Sequence, residues 1–454
     1  MTGKRQMRTA AAALVGLTAA PAWAQSAEEL QNQIADLQVQ VAELRQQESE
    51  DWLNGQRKAQ VEELVREVLA DADGRAGMTG GAVLAGHDGD HFYLTSEDGS
   101  YLMEIAGQLQ FRWIGDSQDG RDDENDSGFQ FRRAKLNFSG HVADPKLSYE
   151  LTLAHSRKDG NIGLEDAVIG YELYDNVEVL FGKSKLPFLR EELVSSKRQL
   201  GVDRSLVTEY FTLNRGEQVQ LAMAGENVRG AVSLNDGANS DWTDYNRDDV
   251  EFAVTARGDL KLAGDWGQAK DFIAWGDRAD LGAFVGGAVH YQAGDGENGE
   301  DRDYFAWTVD GLVETGRLSV MSAFHGGHVM FDDDLGTDDR DMYGLVAQAG
   351  YLLPGNKWQP FARWNWIDDG LDATEDDLQA VSAGVNYFLS GHAAKFTTDV
   401  VYVYEGAAAG NPSTGAIDNP SGASAFSSGL GMGGFDPGID EDFYALRAQF
   451  QLLF

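Results

Sequence analysis

Four hundred and fifty-four residues carry 36 Lys and Arg against 74 Asp and Glu, a formal net charge of −38. Such an excess repels a phosphate backbone and argues against a nucleic-acid partner. The absence of cysteine excludes disulfide frameworks and thiolate metal sites, and 54 glycines with 8 prolines and 10% aromatic residues suit many strands joined by turns, not a disordered chain.

The chain opens on an export signal. Lys4, Arg5 and Arg8 form a positive head, Thr9 to Ala20 an apolar run, and Ala22-Trp23-Ala24 a small-x-small cleavage pattern. Residues 1–24 are therefore expected to be removed, and the mature chain to begin at Gln25. No later window approaches the length of apolar helix needed to cross a bilayer. An exported chain of this kind is free in the periplasm, secreted, or in the outer membrane as a barrel.

Residues 25–73 read as a helical stalk. Leu30, Ile34, Leu37, Val41 and Leu44 alternate spacings of four and three, the signature of a short coiled coil. A second amphipathic stretch follows with Val61, Leu64, Val65 and Val68 on one face. Residues 74–100 read as a Gly-rich linker. Asp71, Asp73, Asp88 and Asp90 lie in pairs that lack the further ligands of a calcium loop, so they read as solvated turn residues. No metal or other cofactor is expected.

From Tyr101 the apolar period changes to two. Leu109, Phe111 and Trp113 share one face while Gln108, Gln110 and Arg112 share the other. Leu136 and Phe138 oppose Arg133, Lys135 and Asn137, and Leu446, Phe450 and Leu452 oppose Arg447, Gln449 and Gln451. Many of these runs reach the roughly nine to eleven residues that a membrane-spanning strand needs, against about five or six in soluble sheets. Apolar and polar side chains alternate, as they do when lipid covers one face and water the other. Sixteen such runs follow one another from 101–114 to 442–454. Short connections such as Tyr174-Asp-Asn176 and Gly316-Arg317 alternate with long acidic ones such as 116–127 and 332–341. The expected fold is an all-β membrane protein, an antiparallel 16-stranded transmembrane β-barrel over 101–454, carrying an N-terminal α-helical coiled coil. Sixteen strands leave an aqueous channel. The last residue, Phe454, falls on the outward face of the last strand.

Charge is unevenly spread. Residues 101–230 hold 16 Lys and Arg against 21 Asp and Glu, whereas 231–454 hold 12 against 37. Arg112, Arg133 and Lys135 point inward by parity, and Arg132 adjoins them. Arg190, Lys197, Arg198, Arg204 and Arg215 belong to a connection, 188–216, too long for a turn and long enough to fold into the lumen. Two readings stand side by side. These bases form a constriction that attracts anions through its local field, or they pair with acids such as Glu150, Glu191 and Glu192.

The order and spacing of Ile105-Ala-Gly-Gln-Leu109, Phe131-Arg-Arg-Ala-Lys-Leu136, Glu165-Asp-Ala-Val-Ile-Gly-Tyr171, Val179-Leu-Phe-Gly-Lys183, Glu192-Leu-Val-Ser-Ser-Lys197 and Asp203-Arg-Ser-Leu206 resemble the phosphate-selective porin O/P family. The resemblance implies a trimer of sixteen-stranded outer-membrane barrels, each with a constriction loop and inward arginines. The family's paired arginines carry over to Arg132 and Arg133. Its constriction lysine corresponds to Lys197 or has no counterpart. Two family positions differ: a first-strand arginine falls at Gln108 and a third-strand acid at Ala154. The carry-over is thus a porin of the bacterial outer membrane, with phosphate as the leading solute.

The expected function is passive diffusion of small hydrophilic solutes, inorganic anions such as phosphate foremost. Arg112, Arg132, Arg133, Lys135 and Lys197 are the expected pore-lining, anion-binding residues. The partners are outer-membrane lipid, small ions and two further copies of the chain. Two alternatives remain: a general or cation-preferring porin with acidic loops, and a secreted acidic β-protein binding calcium or sugar. No nucleophile elbow, zinc-helix or phosphate-loop motif is present, so an enzyme is not expected.

Overall fold

The computed structural model describes residues 83–89, 91–120, 125–157, 159–238, 250–276, 280–294, 302–331, 339–370, 377–405, 430–435 and 441–454. The expected signal segment and coiled coil, residues 1–73, lie outside them. Within the stretch expected to be a linker, β1 (Val83–His87) and β2 (Phe92–Ser96) pair as a hairpin.

The barrel strands are β3 (Leu102–Gln118), β4 (Asn125–Val142), β5 (Asp144–His155), β6 (Ile162–Tyr174), β7 (Val177–Lys185), β8 (Arg215–Ala224), β9 (Val228–Asn235), β10 (Val250–Ala263), β11 (Gly282–Gly294), β12 (Arg302–Thr315), β13 (Leu318–Phe331), β14 (Arg340–Tyr351), β15 (Trp358–Asp368), β16 (Leu378–Ser390), β17 (Ala394–Glu405) and β18 (Phe443–Leu453). Each pairs antiparallel with its sequence neighbours, and β18 pairs with β3 from Phe443↔Gln118 to Leu453↔Gln108. That last ladder closes sixteen strands into a barrel and leaves no free edge. Where β18 ends, β2 takes over the remaining edge of β3, with Phe92 opposite Ile105.

The two faces are inverted relative to a soluble protein. Phe111 on β3, Val309 on β12 and Leu446 on β18 are 41–54% exposed, while their inward neighbours Arg112, Asp310 and Arg447 are at most 3% exposed. An apolar band of this extent is stable against hydrocarbon, not against water. No helix among the described residues is long and apolar enough to cross a membrane. Outward aromatic residues mark both rims. Trp366, Tyr402 and Tyr404 hydrogen-bond Asp377, Asp442 and Gln379 on the long-loop side, and Trp358 packs on Tyr387 on the short-turn side. The Phe454 ring lies over Gly107, where an added Cβ would approach it to 2.3 Å, and the two residues exchange backbone hydrogen bonds.

Connections fold inward at both ends of the barrel. Residues 186–214 carry α1 (Arg190–Leu193) and α2 (Leu206–Phe211), and α2 packs across the barrel on β14 and β15. At the opposite end, residues 264–281 bury Trp266, Phe272 and Ile273, and Gln359 donates to the Phe272 carbonyl oxygen.

The inward loop explains a departure from the expected polar lumen. On β11 to β18 many inward positions are apolar: Phe284, Tyr304, Met321, Val346, Phe361, Val401 and Phe443 are buried in one cluster with Phe188, Leu206, Val207 and Phe211 of the loop. Each such side chain contributes about 1.5–3 kcal/mol on burial, which holds the loop against this wall. The polar lumen therefore lies on the β3–β8 side.

Candidate functional site

A cavity of about 900 Å3 separates the inward loop from the wall formed by β3 to β8. Its lining runs from His91 and Ala106 near the short turns to Gln130, Ser156 and Arg157 toward the long loops. Among the described residues, eight Lys and Arg and five Asp and Glu line it, a surplus of positive charge inside a strongly acidic molecule.

Two β-bulges build the charged wall. Along β3 and β4, Gln110 opposes Arg133 and Phe111 opposes Phe131, so Arg132 has no partner in the ladder. The extra residue breaks the alternation, and Arg132 and Arg133 both reach inward. Thr152 opposes Asp166 and Leu153 opposes Leu164, which leaves Glu165 as the extra residue and turns Glu165 and Asp166 together into the cavity.

These doublets meet specific partners. Asp203 of the inward loop accepts from Arg132 Nε at 2.5 Å, Arg133 Nη2 at 2.9 Å and Arg112 Nη1 at 3.2 Å. Burial by itself would push its carboxyl up, but Arg132, Arg133 and Arg112 overrule it and hold Asp203 well below the usual carboxylate range. One carboxylate against three guanidiniums leaves a local surplus of two positive charges. Arg133 also donates to Gln110 Oε1 at 2.8 Å, and Arg112 to Gln130 Oε1 at 2.9 Å. Lys135 bonds Glu165, and Arg215 bonds Asp166 Oδ1 at 2.6 Å.

The loop is fixed on its other flanks. Glu191 accepts from Ser205 Oγ at 2.5 Å, Thr208 Oγ1 at 2.6 Å and Arg363 Nη2 at 3.0 Å. The Asp399 carboxylate accepts from the Val202 amide at 3.0 Å and from Arg447 Nε at 2.7 Å. Lys395 donates to the Gln199 carbonyl oxygen, and Arg190 bonds Asp310.

Of the residues singled out from sequence, Arg132, Arg133, Lys135 and Lys197 line the cavity. Arg112 does not: fully buried between β3 and the inward loop, it braces Asp203. Of the four that line the cavity, Arg132, Arg133 and Lys135 also pair with acids. The main acid is Asp203, which the sequence reading left without a role. Arg157, Glu165 and Asp166 were also missed. The signal for the two acids was the doublet Glu165-Asp166 inside an alternating strand, the same break that marks Arg132-Arg133. Arg363 and Arg447 were overlooked because they lie in the acidic half of the chain.

The sequence profile of the family described as phosphate-selective porin O and P matches residues 108–411. An uncharacterized protein of Aquifex aeolicus (strain VF5) is 25% identical over 300 residues, covering 60% of this chain and 70% of that protein. An anion-selective porin from Comamonas acidovorans superposes with a TM-score of 0.55 at 12% identity, over 78% of this chain and 99% of the other. The outer membrane channel DcaP of Acinetobacter baumannii gives a TM-score of 0.46 at 15% identity, over 81% and 100%.

Proposed function

Because the chain belongs to the phosphate-selective porin O and P family, and is thus an outer-membrane β-barrel channel, we propose that it passes small inorganic anions, phosphate among them, through the cavity beside the inward loop. The observation that carries this reading is the surplus of guanidinium and ammonium groups on the lining of that cavity. Anions entering it are attracted by the surplus and handed between several weak sites, which speeds passage without trapping. Arg132, Arg133, Lys135 and Lys197 touch the anion, and Arg112 positions Asp203. The family name and the anion-selective porin from Comamonas acidovorans agree with this sign of charge. The working unit is a homotrimer.

Planar-bilayer recording tests the reading. Under a salt gradient the reversal potential should report an anion preference, and phosphate should reduce chloride current by competing for the same groups. Arg133→Gln removes one positive charge without setting a second carboxylate against Asp203, and should shift the reversal potential toward cations. A cation-preferring wild-type channel overturns the proposal.

A further inference from the structure

One imidazole and two carboxylates converge at the short-turn end of the cavity. Asp88 and His91 lie in the turn of the β1–β2 hairpin, and Glu104 lies on β3 opposite Tyr93. One ligand atom from each falls within 4.8 Å of the others. His91 also lines the cavity, so the cluster is open to whatever moves through it.

The spacing fits ligands of one small cation. His91 Nδ1 stands 3.8 Å from Asp88 Oδ2, with both side chains substantially exposed. That is too long for a hydrogen bond. It is close to the separation of about 3.4 Å that two ligands take at roughly 2.1 Å from a shared tetrahedral ion. The turn that carries two of the ligands is set by its own hydrogen bonds: the His91 amide donates to Asp88 Oδ1 at 2.7 Å, and the Asp88 amide to the His91 carbonyl oxygen. Glu104 takes one hydrogen bond, from Ser139 Oγ at 3.3 Å. An imidazole with two carboxylates suits zinc and its first-row neighbours, whereas calcium asks for six or more oxygens.

We propose that Asp88, His91 and Glu104 bind a divalent transition-metal ion of the zinc class, with water completing the shell. The ion ties the hairpin to the barrel wall. It also cancels two negative charges at one end of the basic cavity, and so strengthens anion preference. The binding claim stands apart from the channel reading, whereas the effect on selectivity rests on it.

Equilibrium dialysis of the purified full-length protein against Zn2+, in excess Mg2+ to occupy acidic loops, tests the site. One tight Zn2+ per chain is expected, with affinity falling about tenfold or more in His91→Ala and in Glu104→Gln, since even outer-shell losses cost that much. Heat-modified mobility on gels confirms that both variants fold. Equal uptake by wild type and variants, or complete displacement by Mg2+, overturns the site. In bilayers, Zn2+ should move the wild-type reversal potential toward anions and leave His91→Ala unmoved. Tight binding without that shift overturns the selectivity effect and leaves the metal site standing, whatever ion the pore prefers.

Discussion

At the scale of single residues, charge in the cavity is governed by where carboxylates sit. Asp203 is the carboxylate that three arginines share, and removing it would leave buried guanidiniums uncompensated, at about 3–5 kcal/mol. Glu209, on α2, is different. It lines the cavity, and burial pushes its carboxyl up; Asp203 adds to the rise while Arg132 opposes it. A raised value means that Glu209 takes a proton before ordinary carboxylates do as the solution is acidified. Each proton taken removes a negative charge from the lining. Anion preference should therefore rise as pH falls from neutrality, ahead of the usual glutamate range. Glu209→Gln should show the higher preference already at neutral pH, and a flatter profile below it. Reversal potentials measured across that interval decide the matter; a variant whose pH profile overlays the wild type would exclude Glu209 as the group responsible.

At the scale of elements, the inward loop fits its wall through missing side chains. A Cβ on Gly344 of β14 would approach Phe211 Cε2 to 2.4 Å, and one on Gly350 would approach Leu200 Cδ1 to 2.8 Å. Gly344→Leu should push α2 off β14, at the roughly 1–3 kcal/mol typical of overpacking. Thermal unfolding should occur at lower temperature and single-channel conductance should change. Gly311→Ala is the control, since its Cβ would meet nothing closer than the Phe284 carbonyl oxygen at 3.8 Å. If the two variants behave alike, the contact of α2 with β14 does not set the passage. The sequence made the strands legible because lipid and water impose a period of two along every one of them, and all sixteen runs coincide with barrel strands to within a few residues. The loop's entry into the lumen was legible from its length and its bases. Its destination was not, because Phe284, Val346 and Phe361 are apolar residues on the side that alternation assigns to water. Likewise, parity placed Arg133 and Lys135 inward, but Arg132 and Glu165 face the cavity only because each is the extra residue of a bulge. Asp203, the partner of Arg133, lies 70 residues on in the chain, a separation that no local pattern encodes.

At the scale of the whole molecule, two fields of opposite sign compete. The sequence outside the cavity is strongly acidic, with 37 Asp and Glu against 12 Lys and Arg over 231–454, while the cavity lining carries a positive surplus. They differ in distance from a permeating ion. Charges on the lining act near contact, whereas loop charges act through solvent and are cut off by the Debye length, about 30 Å at 0.01 M and about 3 Å at 1 M salt. At low ionic strength both fields reach a permeating ion, and the acidic residues oppose the anion preference proposed for the lining. At high ionic strength only the lining is felt. Anion preference should therefore increase as salt is raised at a fixed concentration ratio, the reverse of a channel whose selectivity comes from distant surface charge of the permeant-attracting sign. Reversal potentials recorded at a constant gradient over this range of mean concentrations measure it directly. A preference that falls steadily with salt would mean that the short-range field of Arg132, Arg133, Lys135 and their neighbours does not select the ion.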